Sequence, residues 1–199
     1  VYPNVIVTPH PSSAEGQAAA LDFGAGDELV VVNATEPSGL SLHFFGTNLT
    51  SSTIYDEVDA GLPTYLELQL TAAPSVAPGA YPIMVEASSG TLSVNYSFTV
   101  QVVKYLVTIN NDIFSPGNLN VTVGSTVYWM NVSGDAVNGE YVVVFNTINV
   151  RSPLLNPCGL GSYGPGACGI FSYTFATAGT FSYINNIYLE MSGTITVTG

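Results

Sequence analysis

The sequence predicts an all-β protein: two β-sandwich domains preceded by a free N-terminal strand. Three observations carry that expectation. Apolar residues alternate with small polar ones in short runs, the period-two signature of half-buried strands. Gly, Pro, Asn and Ser pairs punctuate the runs at intervals too short for helices. The closing stretch sets Phe171-Tyr173-Phe175 and Phe181-Tyr183 on either side of the turn Thr177-Ala178-Gly179, which reads as an aromatic hairpin.

The length of 199 residues accommodates one large β domain or two smaller ones, and 47% hydrophobic residues supply a sizeable core. Gly, Pro, Ser or charge interrupts every apolar segment well before the roughly 18 residues of a membrane span. The first residue is Val, which predicts a mature chain whose signal segment has been removed.

Charged residues make up only 8% of the chain, against about 25% in ordinary globular domains. Fourteen acidic residues face two basic ones, Lys104 and Arg151, for a net charge of -12. That balance argues against nucleic acid, because phosphate binding needs clustered Lys and Arg. It also predicts tolerance of acid. At about pH 2 to 3 the carboxylates are mostly neutral, and so few basic groups leave little self-repulsion to unfold the chain. An extracellular, acidic setting is the expectation.

Five N-x-Ser/Thr sequons, at Asn33, Asn48, Asn95, Asn120 and Asn131, support that location as candidate N-glycan acceptors. Cys158 and Cys168 enclose the Gly-rich segment GLGSYGPGA. In an extracellular chain the pair reads as a disulfide in preference to two buried thiols. By loop entropy such a bridge is worth roughly 3 kcal/mol.

Taken in order, VYPNVIVTP at residues 1-9 is one isolated strand. Val1, Pro3, Val5 and Val7 share one face and Tyr2 and Ile6 the other, with Asn4 and Thr8 completing it. Apolar on both faces, it calls for cover on both. Residues 10-27 are Gly-, Ala- and Ser-rich without periodicity and read as a linker. A sticky strand on a tether is the arrangement of donor-strand complementation; the plainer alternative pairs it within its own domain.

Residues 28-102 form the first domain, with strands at Glu28-Asn33, Leu40-Gly46, Thr64-Thr71, Gly79-Ala87 and Thr91-Val102. Five clear strands fall short of the about seven of an immunoglobulin-like sandwich. The deficit reads as an acceptor groove unless weakly patterned residues around Ser52-Asp59 fill it. The segment APGAYPIMVEASSGTLSVNYSFTVQV, with its P-G-x-Y turn and Ser-Gly turn, resembles the last hairpin of bacterial and archaeal immunoglobulin-like domains.

Residues 103-199 form the second domain, with strands at Tyr105-Asn110, Asn118-Val123, Thr126-Asn131, Tyr141-Val150, Ile170-Ala176, Thr180-Asn185 and Gly193-Val197. Two segments resemble cupredoxins: the opening FSPGNLNVTVGSTVYWMN, Phe114 to Asn131, and the closing FSYTFATAGTFSYINNIYLEMSG. The resemblance implies a cupredoxin-like sandwich. That family holds copper with a Cys thiolate, two His and a weak axial Met. Here the Cys position is Ile184 and the His position Ile187, while Met191 and Gly193 remain. No His follows His43. The resemblance therefore implies the fold without the copper site, and no cofactor is expected.

Other candidate chemistry is sparse. His10, in the linker, and His43, in a strand, would have to carry any triad or His-based metal site, and a structural role is expected of both. Tyr55-Asp56-Glu57-Val58-Asp59-Ala60-Gly61 lacks calcium-loop spacing and reads as a solvated loop. Lys104 lies in the apolar run VVKYL at the domain junction. It is a candidate for an intramolecular isopeptide bond, although an interdomain ion pair is the simpler expectation.

These features predict a non-enzymatic structural protein. The combination resembles the subunits of archaeal surface threads and related non-type-IV pili, which implies head-to-tail assembly of identical copies by the strand Val1-Thr8. Adhesion or biofilm cohesion is the implied role. The alternative is a monomeric surface module that binds carbohydrate or belongs to an S-layer, with Tyr163 and Tyr188 as a stacking platform.

Overall fold

A computed structural model describes residues 5–7, 13–19, 28–45, 53–58, 65–133, 139–157, 159–161, 164–166 and 168–199. The protein is all-β: every regular element among the described residues is a strand. Among the same residues no helix is long and apolar enough to cross a membrane. The chain divides into two compact units, Val1–Val103 and Lys104–Gly199.

The first unit contains β1 (Val5–Val7), β2 (Ser13–Ala19), β3 (Glu28–Thr35), β4 (Leu40–Phe45), β5 (Thr53–Val58), β6 (Tyr65–Ala72), β7 (Gly79–Ser89) and β8 (Leu92–Val102). One sheet has the order β1-β8-β7-β3-β5 and the other β2-β6-β4. Its buried residues include Val32, Leu42, Ile83, Val85, Phe98 and Val100. On β7 and β8 burial alternates strictly around Ile83, Val85, Phe98 and Val100, as a one-sided sheet requires. The P-G-x-Y turn is closed by Tyr81, whose hydroxyl donates to the Ala77 carbonyl at 2.7 Å.

Two expectations are corrected here. Val5–Val7 is not free: it pairs in parallel with Val100–Val102 of its own unit. A segment apolar on both faces finds the nearest open edge of its own chain. Ser13–Ala19, expected within the linker, forms an edge strand antiparallel to β6 from Ser13↔Thr71 to Ala19↔Tyr65. Main-chain pairing there needs no apolar pattern, which is why periodicity does not reveal it. With β2 and β5 in place the expected strand deficit is filled, and Tyr55–Val58 belongs to β5, not to a loop.

The second unit contains β9 (Leu106–Asn110), β10 (Ile113–Ser115), β11 (Asn118–Thr122), β12 (Thr126–Asn131), β13 (Val143–Phe145), β14 (Val150–Arg151), β15 (Gly159–Gly161), β16 (Gly164–Gly166), β17 (Ile170–Thr174), β18 (Gly179–Asn185) and β19 (Ser192–Thr198). One sheet has the order β10-β9-β12-β17, the other β11-β19-β18-β13-β14, and β15-β16 form a small ribbon. The expected strand Tyr141–Val150 is broken. Residues 146–149 turn back between β13 and β14, with Asn149 at φ 52, a conformation that Asn tolerates.

The core is aromatic and lies between the two larger sheets. Tyr183 of β18 packs edge-on against Phe114 of β10, with centroids 4.9 Å apart, and against Trp129 of β12 at 5.5 Å. Phe145 of β13 sits 5.1 Å from Tyr183 and 5.5 Å from Trp129. Each edge-to-face pair adds about 0.5–1.5 kcal/mol beyond its buried area. Four rings from four strands thus lock the sandwich together.

Candidate functional site

The end of the second unit at which cupredoxins hold copper is the first place to look. Ile184 is half-buried in β18, Ile187 is exposed in the following loop, and Met191 is buried just before β19. Asn185 organises this loop. Its Oδ1 accepts from the Ile187 N–H at 2.9 Å and the Val142 N–H at 3.2 Å. Its Nδ2 donates to Met191 Sδ at 3.2 Å, and its main-chain N–H to the Met191 carbonyl at 3.0 Å.

These residues do not fit a copper ion. Two of the positions are hydrocarbon, and the one thioether is turned into the core as an acceptor for an amide. A soft-metal site needs thiolate and imidazole donors that this loop does not present. Among the described residues no group of His, Cys, Asp and Glu is arranged to hold a metal. What the loop carries is a hydrogen-bonded brace centred on Asn185.

The same end carries a polar link between loops. Tyr141 donates to Asp112 Oδ1 at 3.0 Å and accepts from the Asp112 N–H at 3.3 Å. Burial raises the Tyr141 phenol above its ordinary value, partly offset by the Asp112 backbone hydrogen bond. Tyr188 is half-buried, with its ring 5.8 Å from that of Tyr141. Tyr163, its expected companion in a stacking platform, lies outside the described residues.

The sequons separate into different environments. Asn95 and Asn120 are exposed and Asn33 is half-buried, while Asn48 lies outside the described residues. Asn131 is a correction. It is 0% exposed, and its Nδ2 donates to the carbonyls of Gly139 and Leu155. Its Oδ1 accepts from the Ser133 N–H at 3.0 Å and the Ser133 hydroxyl at 2.8 Å. The amide that a glycan would occupy is committed to loop closure, and the sequon's own Ser is part of the network.

Lys104 bears on the isopeptide candidate. It is exposed, with Nζ 5.0 Å from the centroid of the Tyr105 ring. That cation–π contact is not the desolvated setting in which a lysine attacks a carboxamide. Cys168 is disulfide-bonded, and Cys158, the chain's other cysteine, lies outside the described residues. His43 lies in β4 opposite Gln69. His10 lies outside the described residues, as do Val1 to Asn4 and Thr8 of the expected donor strand.

No family model and no curated protein matches the chain. Solved structures of amicyanin are similar to part of it. A reduced-state mutant shares 23% identity at a TM-score of 0.36, covering 47% of this chain and 81% of that one. A Cu(I) mutant gives 24% and 0.38, over the same 47% and 81%. The copper belongs to those proteins, and the donor set described above decides the question for this one.

What fold and site define together is an all-β chain of two units whose described surface offers sheet edges and exposed asparagines. Sequence reasoning missed the Asn131 and Asn185 braces, although burial parity contained a signal. Val127, Trp129 and Asn131 fall on one side of β12, and Tyr183 and Asn185 on one side of β18.

Proposed function

We propose that the protein is a structural subunit of an extracellular filament. Copies would assemble head to tail as the N-terminal strand of one inserts into the next, giving adhesion or biofilm cohesion. The observation that supports this best is the pairing of β1. It sits at the end of its sheet and, among the described residues, meets β8 from Val5↔Val100 to Val7↔Val102.

At about 0.5–1.5 kcal/mol for each net hydrogen bond, the described part of this ladder contributes a few kcal/mol. A strand at the end of its sheet, and apolar on both faces, is suited to exchange between copies. A heterologous exchange that does not close on itself grows as a fibre. The resemblance to archaeal surface threads and non-type-IV pili supports the same reading, as do exposed Asn95 and Asn120, candidate glycan acceptors of a cell-surface protein.

Electron microscopy of the native chain beside a variant lacking residues 1–9 tests this. Filaments from the first and folded monomers from the second are expected. Monodisperse particles from both would return the N-terminal strand to its own unit and leave the carbohydrate or S-layer module as the reading to pursue.

A further inference from the structure

The second unit gathers its exposed apolar side chains at one end. Ile113 is 62%, Leu189 65%, Leu154 46% and Ile187 45% exposed. Tyr141 ties their segments together. Its hydroxyl donates to Asp112, next to Ile113, and its main chain pairs with Leu155, next to Leu154. Its ring lies 5.8 Å from that of Tyr188, which Ile187 and Leu189 flank. Val123, the other exposed large hydrophobic described in this unit, donates its N–H to Thr198 at the opposite end of β19 from Met191.

These positions are held in place. Asn111 and Asp112 form a tight turn with φ of 47 and 60. Asn185 Oδ1 fixes the Ile187 N–H, and the Met191 N–H closes a turn onto the Tyr188 carbonyl at 3.0 Å. Exposed apolar groups that are already fixed lose little freedom when a partner covers them. Gathered in one place, they mark an interaction surface.

Charge is gathered at the same place. The acidic residues of the second unit are Asp112, Asp135, Glu140 and Glu190, and Asp135 lies outside the described residues. The other three are exposed, and each adjoins the apolar set: Asp112 precedes Ile113, Glu140 precedes Tyr141, and Glu190 follows Leu189. Carboxylates that served solubility alone would be spread over the unit. These three border one apolar end.

We propose that this end of the second unit docks a polypeptide whose apolar side chains are ringed by Lys and Arg. An apolar centre within a polar rim is the anatomy of a specific protein interface, and the charge of the rim selects the sign of the partner. The same charge disfavours the rivals. A second copy offers only Lys104 and Arg151 against these carboxylates. Anionic lipid would meet like charge. The surface belongs to the second unit, so it is independent of the strand on which the filament reading rests.

A labelled amphipathic peptide of Leu and Lys, titrated with the full chain, tests this by fluorescence anisotropy. Binding should weaken about tenfold or more in Ile113→Ser with Leu189→Ser, which removes two apolar contacts. Glu140→Gln with Glu190→Gln should weaken it about threefold or more and flatten its salt dependence. Met84→Ser with Glu86→Gln, an apolar and acidic pair also exposed on β7, should leave it unchanged. The same peptide with Glu in place of Lys should not bind.

Native affinity in Ile113→Ser with Leu189→Ser overturns the site. Native affinity in Glu140→Gln with Glu190→Gln overturns the basic partner and makes the carboxylates a solvating rim. Co-sedimentation of the native chain with phosphatidylcholine vesicles, lost in Ile113→Ser with Leu189→Ser, would replace the partner by a lipid surface. Filaments formed by the native chain and lost in that double variant would replace it by a second copy. Should circular dichroism show the double variant unfolded, Leu154→Ser, on a different segment, decides in its place.

Discussion

Tyr183 and Gly193 are cross-strand partners of β18 and β19, and the tyrosine ring lies over the glycine. A Cβ at Gly193 would fall inside contact distance of Tyr183 Cζ and its hydroxyl oxygen, and 2.7 Å from the Gly117 carbonyl oxygen. The Met-x-Gly ending of the closing segment is thus a packing device, independent of any metal. Gly193→Ala should destabilise the second unit by about 2–4 kcal/mol, the overpacking cost of a methyl with nowhere to go. Chemical denaturation checks this. A second substitution, Tyr183→Leu, should cost less in the Gly193→Ala background than in the native one. Additive costs would mean that ring and glycine do not oppose each other.

The Tyr183 hydroxyl and Trp129 Nε1 are both buried without a hydrogen-bond partner. Burial pushes the Tyr183 phenol up to about 12, and the nearby indole N–H, short of hydrogen-bond geometry, opposes this only weakly. The folded value lies above the unfolded one of about 10. Stability from this group is therefore complete below pH ~10 and lost as pH rises toward ~12, an effect of roughly 3 kcal/mol. Tyr183→Phe should unfold at higher pH than the native chain and be no less stable at pH 7, since it removes an unpaired hydroxyl. An unchanged alkaline midpoint would count against this account.

Much of the fold was legible because its strands obey period-two alternation. Thr126–Asn131 has the expected bounds, and the closing hairpin falls within a residue or two of them. The misses share a cause, structure made by the main chain. β10 follows a turn in which Asn111 and Asp112 both take positive φ, 47 and 60. That is the two-residue hairpin geometry that Asn and Asp favour, and the Asn-Asn-Asp run was its only signal. β2 is Ala-, Gly- and Gln-rich and shows none. The Asn185 brace in the loop before Met191 is equally silent in the sequence. A buried amide in a strand looks the same in sequence as an exposed one until burial parity is followed.

Reduction offers a test of the Gly-rich segment. Cys168 is disulfide-bonded beside Gly169, where a Cβ would meet the backbone of Leu155 and Asn156. Anchoring that approach by a covalent tie should stabilise the unit by roughly 3 kcal/mol for a loop of this size. Calorimetry with and without reductant should show the transition falling by roughly 12–24 °C, at about 4–8 °C per kcal/mol for a domain this small. An unchanged transition would mean that the loop holds itself.

The sequons give a prediction in which structure and sequence disagree. By sequence Asn95, Asn120 and Asn131 are equivalent. In the fold, Asn120 alternates with inward Val121 and Asn95 lies opposite exposed Glu86, so both point outward. Asn131 shares the inward side with Val127 and Trp129. Glycopeptide mass spectrometry of native material should find modification at Asn95 and Asn120 and none at Asn131. Asn131→Ala should cost about 2–4 kcal/mol, because it strands the buried carbonyl of Gly139 and the donors of Ser133 and leaves the Leu155 carbonyl with the Tyr141 N–H alone. Asn120→Gln should leave folding stability within about 0.5 kcal/mol, as for an exposed site. A glycan on Asn131 in the folded protein would require its amide to leave the Gly139 and Leu155 carbonyls, and would overturn its structural role.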